Sequence, residues 1–146
     1  METCRIYLSG AMSGISLEEM TKWRTKFQNA IKYGDYGHYD DYEKKPVFFD
    51  PTRYYLPTEN YHKSEREAME FDLYNLRKSD IVVVNFNKID SLGTAMELIL
   101  AKEYNIPVIG INKDNKEIHP WLQECCTRMC NDMREAVTYI VDYYLN

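Results

Sequence analysis

The chain has 146 residues, of which 45% are hydrophobic and 28% are charged, and its formal net charge at pH 7 is −5. This length and composition are typical of one globular domain and exclude a disordered or fibrous protein. The excess of acidic over basic side chains argues against nonspecific binding to nucleic acid or to an anionic membrane surface, because both need a basic protein surface.

The chain begins without the long apolar stretch of a signal peptide, and no apolar run in it approaches the length of a membrane span. We therefore expect a soluble, cytoplasmic protein. The cysteines fit a reducing compartment, because Cys125, Cys126 and Cys130 crowd into one short segment where pairing would be strained. Since no CxxC motif is present and a fourth zinc ligand is missing, we expect reduced thiols and no metal site.

The first part of the chain predicts a strand followed by a helix. A short apolar run at 5–8 ends at Ser9 and Gly10, which indicates a buried strand and a tight turn. The motif Ser16-x-x-Glu19 is a capping box that opens a helix. Apolar residues then recur at helical spacing and form a stripe that should face a sheet (Met20, Trp23, Phe27, Ile31).

The rest of the chain alternates between strands and helices. The predicted elements are a loop at 33–45, a strand at 47–49, a helix at 61–78, strands at 81–84 and 107–111 with a helix at 93–104 between them, a short strand at 127–130 and a final helix at 131–144. The β-branched run at 81–84 is typical of a central parallel strand that is buried on both faces.

This alternation predicts a single doubly wound α/β domain over residues 1–146, of the flavodoxin or Rossmann-like type. We expect a five-stranded, mostly parallel sheet with helices on both faces. Ligands of such folds bind at the carboxyl ends of the strands. The candidate site should therefore lie among residues 7–14, 50–53, 85–93 and 111–115.

Glu97 is the most informative residue, because a single carboxylate interrupts an otherwise apolar helix. Burying a carboxylate without a partner is costly, so its position needs a reason. One explanation is a place near the first turn of the helix, where the helix dipole favours an anion. The other is a catalytic nucleophile or acid–base group.

Asp72 and Tyr7 are the other candidates for chemistry. Asp72 lies on the predicted core-facing stripe of its helix, and two carboxylates that converge on one cleft are the arrangement used to cleave glycosidic bonds. Tyr7 lies at the end of the first strand, where its hydroxyl needs a hydrogen-bond partner if it is buried. Packing in the core is the alternative interpretation of Tyr7.

Two phosphate-binding motifs are absent. The segment from Ser9 to Gly14 is not a GxGxxG fingerprint, and no GxxxxGK[ST] motif occurs in the chain. The helix that begins at Gly93 and Thr94 can offer backbone N–H groups to an anion, but this signal is weak by itself.

Several segments together resemble the nucleoside 2-deoxyribosyltransferase family. They are the opening Ile6-Tyr7-Leu8-Ser9-Gly10, Asp72 ahead of the strand 81–84, and the helix start Ser91-Leu92-Gly93-Thr94-Ala95-Met96-Glu97. The resemblance extends over most of the chain. The related 2′-deoxynucleoside 5′-monophosphate N-hydrolases share the fold and much of this motif.

The resemblance implies a role for each matching residue. Glu97 would be the nucleophile that forms a covalent deoxyribosyl-enzyme, Asp72 would protonate the leaving base, and Tyr7 would orient Glu97. Substrate would be bound by Ser9, Gly10, Asp90, Ser91, Gly93 and Asn131. No cofactor is implied. The substrates would be a nucleoside or nucleotide and a free nucleobase.

The resemblance also implies a homo-oligomer, because the family builds each site across a subunit interface. Asn131 matches the position that reaches into the neighbouring subunit.

The residues leave the reaction open between transfer and hydrolysis. The transferases usually carry an aspartate six residues before the nucleophile, where this chain has Ser91, with Asp90 one residue earlier. A serine there is typical of the hydrolases, because a carboxylate would repel a 5′-phosphate. Asn131 and the lack of Lys or Arg at 9–16 favour the transferase, which we expect. A noncatalytic nucleotide-binding domain is the third alternative.

The loop at 33–45 carries four tyrosines. We expect either a solvated loop or a flap in which some of these tyrosines, or Tyr54 and Tyr55, stack on the base.

Overall fold

A computed structural model describes residues 1–37, 41–55 and 61–146. The strands are β1 (Thr3–Gly10), β2 (Lys45–Phe49), β3 (Ile81–Asn85), β4 (Val108–Ile111) and β5 (Arg128–Cys130). The helices are α1 (Leu17–Tyr33), α2 (Glu65–Arg77), α3 (Leu92–Glu103), α4 (Pro120–Glu124) and α5 (Met133–Ile140). A 3₁₀ turn covers Pro51–Tyr54, and the last helix continues as a π-helical turn over Val141–Leu145.

The five strands form one sheet in the order β2-β1-β3-β4-β5, and every neighbouring pair in it is parallel. The predicted doubly wound α/β fold is therefore confirmed. The order along the sheet reverses between β1 and β3, because the chain moves outward from β1 to β2 and then returns. Ligand sites of such sheets lie at this reversal.

The sheet separates two hydrophobic layers. Helices α1 and α5 cover one face, where the predicted stripe of α1 is buried against strand residues such as Ile6, Leu8 and Val83. Helices α2, α3 and α4 cover the other face, where Tyr7, Val82 and Val84 point. All four residues of the run at 81–84 are buried, as predicted for a strand that is covered on both sides.

The helix starts follow the predicted capping logic. The Ser16 hydroxyl accepts a hydrogen bond from Glu19 N at 3.1 Å, and α1 ends at Gly34, whose φ of 64° lies in the left-handed region. Helix α2 begins at Glu65 with Ser64 as its N-cap, four residues later than the start predicted at residue 61. Since Ser64 satisfies the N–H of Glu67, the helix starts at that cap.

The loop at 33–45 is only partly described. Tyr42 is buried and donates a hydrogen bond to Ile31 O at 2.7 Å, so it packs against the core. Tyr36 packs beside the layer of α1 and α5. These positions contradict the idea that Tyr36 and Tyr42 stack on a ligand in the predicted cleft. The other two tyrosines of that hypothesis are Tyr33, which is exposed at the end of α1, and Tyr39, which lies outside the described residues.

All four cysteines are free thiols, and Cys4, Cys125 and Cys130 are buried. Across residues 1–37, 41–55 and 61–146, no group of three or more His, Cys, Asp or Glu side chains is placed to hold a metal ion. No described helix is both long enough and apolar enough to cross a membrane.

Candidate active site

A cleft of about 450 Å³ opens at the carboxyl ends of β1 and β3, on the side of the sheet that α2 and α3 cover. The predicted residues that line it are Gly10, Asp72, Asp90, Ser91, Gly93 and Glu97. Its volume lies within the range of small-molecule sites, about 300 to 1,000 Å³. The strand end supplies the floor of the cleft, and the two helices supply its walls.

Glu97 lies in the second turn of α3, since Leu92 is the first residue of that helix. The effect of the helix dipole falls off within the first turn, so the dipole does not account for a carboxylate at this position. Burial raises the pKa of Glu97 to about 7, and the negative charge of Asp72 adds to this shift. The hydroxyls of Tyr7 and Ser9 and the charge of Arg24 act in the opposite direction, because they favour the ionised form.

Ser9 is fully buried at the end of β1, and its hydroxyl donates a hydrogen bond to Glu97 Oε1 at 3.3 Å. Tyr7, two residues earlier on the same face of the strand, is also fully buried. Its ring stacks on Phe49 with the centroids 5.3 Å apart. Alternate residues of a strand share one face, so both hydroxyls come from β1 to the same carboxyl group.

The Tyr7 hydroxyl is buried without a hydrogen bond of normal geometry, although it interacts with the Glu97 carboxyl. Burial raises its pKa well above the usual value, and the charges of Glu97 and Asp72 raise it further. The hydroxyl therefore keeps its proton and can donate it in a hydrogen bond to the ionised Glu97 carboxylate.

Asp72 is half-buried on α2, and its Oδ1 is a buried acceptor without a hydrogen-bond partner among the described residues. Burial raises the pKa of Asp72 to about 6, against the lowering effect of the charges on His62 and Arg24. With Glu97 shifted in the same direction, the cleft retains a transferable proton near neutral pH. Proton donors and acceptors with pKa values near the working pH are typical of acid–base sites.

Arg24 is a fully buried cation behind this cleft that the sequence analysis missed. Its guanidinium donates hydrogen bonds to the carbonyl oxygens of Leu8 at 3.2 Å and Gly10 at 3.1 Å. Its Nε lies 3.8 Å from Asp50 Oδ1. The position of Arg24 beside Trp23 in the apolar stripe of α1 was the available signal, because a charge on a buried helix face needs partners.

Lys88 was also missed, because it reaches the cleft from the loop between β3 and α3. Its Nζ lies 3.4 Å from Ser13 O and 4.0 Å from Asp90 Oδ1. The sequence analysis found no Lys or Arg in the first loop, and that observation stands. The structure supplies the cation from another loop instead. Loops far apart in the chain meet here because β1 and β3 are neighbours in the sheet.

Ser91 and Gly93 form the start of α3. Ser91 is the N-cap, and its Oγ accepts hydrogen bonds from Thr94 N at 3.3 Å and Thr94 Oγ1 at 3.0 Å. A Cβ added to Gly93 would meet no atom within 4 Å, so this glycine leaves open space at the rim. Gly10 is different, because its added Cβ would lie 3.0 Å from the Trp23 ring.

Three predicted site residues do not line this cleft. Tyr7 and Ser9 are fully buried behind Glu97, whereas Asn131 lies elsewhere on the chain. It is exposed after β5, and its backbone N–H donates to Glu135 Oε2. Tyr55 does line the cleft, whereas Tyr54 packs against the rings of Phe49 and Phe71.

No protein-family model matches the sequence. A search of curated proteins also finds no relative.

Solved structures do share the fold. A 2-deoxyribosyltransferase from Bacillus psychrosaccharolyticus is 20% identical with a TM-score of 0.68, and the match covers 93% of this chain and 92% of that one. A 2-deoxyribosyltransferase from Leishmania mexicana is 14% identical with a TM-score of 0.67, covering 97% and 99%. A CMP N-glycosidase from Clostridium botulinum is 14% identical with a TM-score of 0.56, also covering 97% and 99%. At these identities the likeness establishes a common fold over nearly the whole chain.

Proposed function

We propose that this protein transfers 2-deoxyribose between nucleobases by cleaving the N-glycosidic bond of a 2′-deoxynucleoside. The observation that carries the proposal is the pair of carboxyl groups, Glu97 and Asp72, which open on one cleft with raised pKa values. A binding domain gains nothing from two carboxylates that burial destabilises. The solved structures that share the fold include two deoxyribosyltransferases and an N-glycosidase. This likeness supports the same chemistry.

In the proposed first step, a carboxylate oxygen of Glu97 attacks C1′ of the sugar. The bond between C1′ and the base nitrogen breaks, its electron pair goes to that nitrogen, and the Asp72 carboxyl group supplies the proton. The products are a deoxyribosyl ester of Glu97 and a free base. Ser9 holds Oε1 of Glu97, which leaves the other carboxylate oxygen for the attack. Covalent catalysis of this kind divides one difficult displacement into two easier ones.

In the second step, Asp72 takes a proton from the incoming base, whose nitrogen attacks C1′ and displaces the Glu97 carboxylate. Two inversions at C1′ give net retention of configuration. The Tyr7 hydroxyl would hold Glu97 in line in both steps. Ser9, Gly10, Asp90, Ser91 and Gly93 would form the sugar-binding side of the cleft.

A second candidate function is hydrolysis of a 2′-deoxynucleoside 5′-monophosphate to the free base and deoxyribose 5-phosphate. Lys88 favours it, because this cation stands at the rim of the cleft beside Ser13 and near the Ser91 end of α3. A lysine and hydroxyl groups suit a phosphate. Asp90, 4.0 Å from Lys88, favours the transferase, because its carboxylate would accept a hydrogen bond from a 5′-hydroxyl and repel a 5′-phosphate.

A chromatographic assay with two mixtures separates these functions. One mixture contains the protein, thymidine or deoxyinosine, and free adenine, and the other contains dCMP, dGMP and dTMP without an acceptor base. We expect new deoxyadenosine in the first mixture. Free base that accumulates only in the second would identify the hydrolase. Absence of any product in both would contradict both enzymatic functions for these substrates and favour a noncatalytic nucleotide-binding domain.

The variant Lys88→Gln tests the same choice from the side of the protein. If the substrate carries a 5′-phosphate, its KM should rise by about tenfold or more, because one charge-assisted contact is lost. For the transferase we expect little change in the KM for a nucleoside. Lys102→Gln, an exposed lysine in the last turn of α3, is the matched control.

We also propose a homo-oligomer in which Asn131 completes the site of a neighbouring subunit. Asn131 does not line the cleft of its own chain, and the apolar side chains of Leu92, Met96 and Ile99 are exposed on α3 beside that cleft. Exposed apolar surface of this kind is typical of an interface with another protein chain. Light scattering after size-exclusion chromatography tests this, and a monomer would contradict it.

A further inference from the structure

A second cavity, of about 480 Å³, lies on the opposite side of the sheet from the proposed active site. It is bordered by α1, by the ends of β3 and β4, and by the start of α5. We name it the α1–α5 cavity. It has no part in the proposed reaction, because neither Glu97 nor Asp72 lines it. Its location at the carboxyl edge of a doubly wound sheet is nevertheless a place where such folds bind ligands.

The charged lining of the α1–α5 cavity is basic, although the whole chain is acidic. Four cations line it, against two carboxylates, and they are Lys22, Lys26, Lys113 and Arg134. In the described ranges 1–37, 41–55 and 61–146, none of these cations lies within 4.0 Å of a carboxylate oxygen. Lys22 and Lys26 are one helical turn apart and so share a face of α1. All four cations are exposed, and an excess of cations around one cavity favours an anionic ligand.

Two lining residues also carry buried polar atoms that no described residue satisfies. They are Trp23, whose Nε1–H is a donor, and Asn87, whose Oδ1 is an acceptor. Trp23 is only 7% exposed. Buried polar groups are nearly always hydrogen-bonded in folded proteins. Both atoms are closed to solvent in this structure, so a ligand in the cavity would reach them only after a side chain in the cavity wall moves.

The cavity also offers an aromatic surface. The ring of Tyr36 lines it, and the guanidinium of Arg134 lies 5.4 Å from the centroid of that ring. A planar ring of a ligand can stack on a tyrosine, while the same guanidinium binds a phosphate.

We propose that the α1–α5 cavity binds a nucleotide. Its phosphate would be held by Lys22, Lys26 and Arg134, and its base or sugar by Trp23 and Asn87. The volume is sufficient for a ligand of this size. This binding site is separate from the proposed catalytic cleft and does not depend on the reaction assigned there. Trp23 connects the two places, because its ring packs against Gly10 at the floor of the cleft.

The test uses the fluorescence of Trp23. The chain has two tryptophans, and Trp121 is 78% exposed on α4. Trp121→Phe therefore leaves Trp23 as the only tryptophan, which is excited at a wavelength that tyrosine does not absorb. This variant is titrated with adenosine 5′-monophosphate at low and high salt, and adenosine serves as the uncharged comparison. We expect a saturable change with the nucleotide that weakens as salt rises, and at least tenfold weaker binding of adenosine.

Variants locate the binding site. Lys22→Gln combined with Arg134→Gln should raise the Kd for the nucleotide at least tenfold. Asn87→Ala should also raise the Kd, but by less. Arg77→Gln combined with Lys102→Gln removes the same charge from exposed helix ends and should leave the Kd unchanged, and so should Lys88→Gln in the catalytic cleft. Circular dichroism checks that each variant is folded, and equilibrium dialysis provides a second measure of binding.

Three results would overturn the proposal. The first is the absence of a saturable signal and of bound nucleotide in dialysis. The second is an increase in the Kd with Lys88→Gln but no increase with the variants of the α1–α5 cavity. The nucleotide would then occupy the catalytic cleft. The third is adenosine that binds as tightly as its monophosphate, because the cations would then contribute nothing.

Discussion

At the scale of single residues, the central feature is a carboxylate whose ionised form is destabilised by burial. The neighbours of Glu97 only partly offset this effect, since Tyr7, Ser9 and Arg24 lower its pKa while burial and Asp72 raise it to about 7. The side chain is therefore costly for folding at alkaline pH. The proposed role of Glu97 as a nucleophile would explain why such a cost is retained.

The variant Glu97→Gln tests this cost directly. The native pKa of about 7 exceeds the unfolded value of about 4.3, so the native state binds more protons between these pH values. The free energy of unfolding then falls as pH rises through this window. The stability of the variant relative to the native chain should therefore be greater at pH 8 than at pH 5, by on the order of 1 to 3 kcal/mol.

Thermal denaturation at both pH values measures this difference, since 1 kcal/mol corresponds to about 2 to 4 °C in Tm for a chain of this size. The matched control is Glu103→Gln, an exposed carboxylate of the same helix, which should show the same Tm difference at both pH values. An equal Tm difference for Glu97→Gln at pH 5 and pH 8 would contradict the burial argument.

The sequence predicted the two carboxylates but not the cations that accompany them. Glu97 and Asp72 stand out because a carboxylate on an apolar stripe is visible in the order of residues. Lys88 does not stand out, since its place in the cleft depends on the pairing of β1 with β3. Asn131 matches a motif of the family that the sequence resembles. However, no pattern in one chain can show whether this side chain would contribute to the site of its own subunit or to that of a neighbour.

At the scale of elements, the start of α3 combines a helix cap with the rim of the cleft. Ser91 uses its hydroxyl oxygen to cap Thr94, and Gly93 leaves the rim open. Glycine is a poor helix former, so its presence in the first turn indicates that the open space has a use.

Gly93→Ala separates helix stability from ligand binding. We expect the free energy of unfolding to rise by about 0.5 to 1 kcal/mol, because alanine favours the helix and its Cβ meets no atom of the chain. The KM for the sugar-containing substrate should rise at the same time, because the methyl group occupies the rim. A higher stability with an unchanged KM would show that Gly93 does not contact substrate.

Most elements were predictable because their signals are local. The cap at Ser16 and the β-branched run at 81–84 define their elements by themselves. The start of α2 and the short helix α4 were not predicted correctly. Helix α4 has five residues and begins at Pro120, after an N-cap at His119. A helix of this length is too short for a repeating apolar pattern.

At the scale of the whole molecule, the parallel sheet gathers residues from distant parts of the chain at one edge. Ser9 and Gly10 end β1, Asn85 ends β3, and the pairing of these strands places Gly10 opposite Asn85. The fold class follows from the alternation of elements. The site also requires the strand order, which a single sequence does not reveal without a related structure.

The proposed sharing of sites between subunits can be tested by complementation. Glu97→Gln and Asn131→Ala should each lower turnover strongly when assayed alone. Mixed and reassembled oligomers of the two variants should regain activity, because roughly a quarter of the sites in a randomly mixed dimer would contain both native residues. A mixture no more active than the sum of its components would place Asn131 outside the site.

The most direct test of the central claim is a measurement of the protein's mass. The protein reacts with a 2′-deoxynucleoside or its 5′-monophosphate, without an acceptor base, and the reaction is stopped with acid before the mass is measured. The account predicts a covalent adduct of one deoxyribosyl group, located by peptide mapping on Glu97 and absent from Glu97→Gln. If the protein is a transferase, adenine added before the quench should discharge the adduct and form deoxyadenosine. Release of base by the native protein without any adduct, together with normal turnover by Glu97→Gln, would contradict the assignment of Glu97 as the nucleophile.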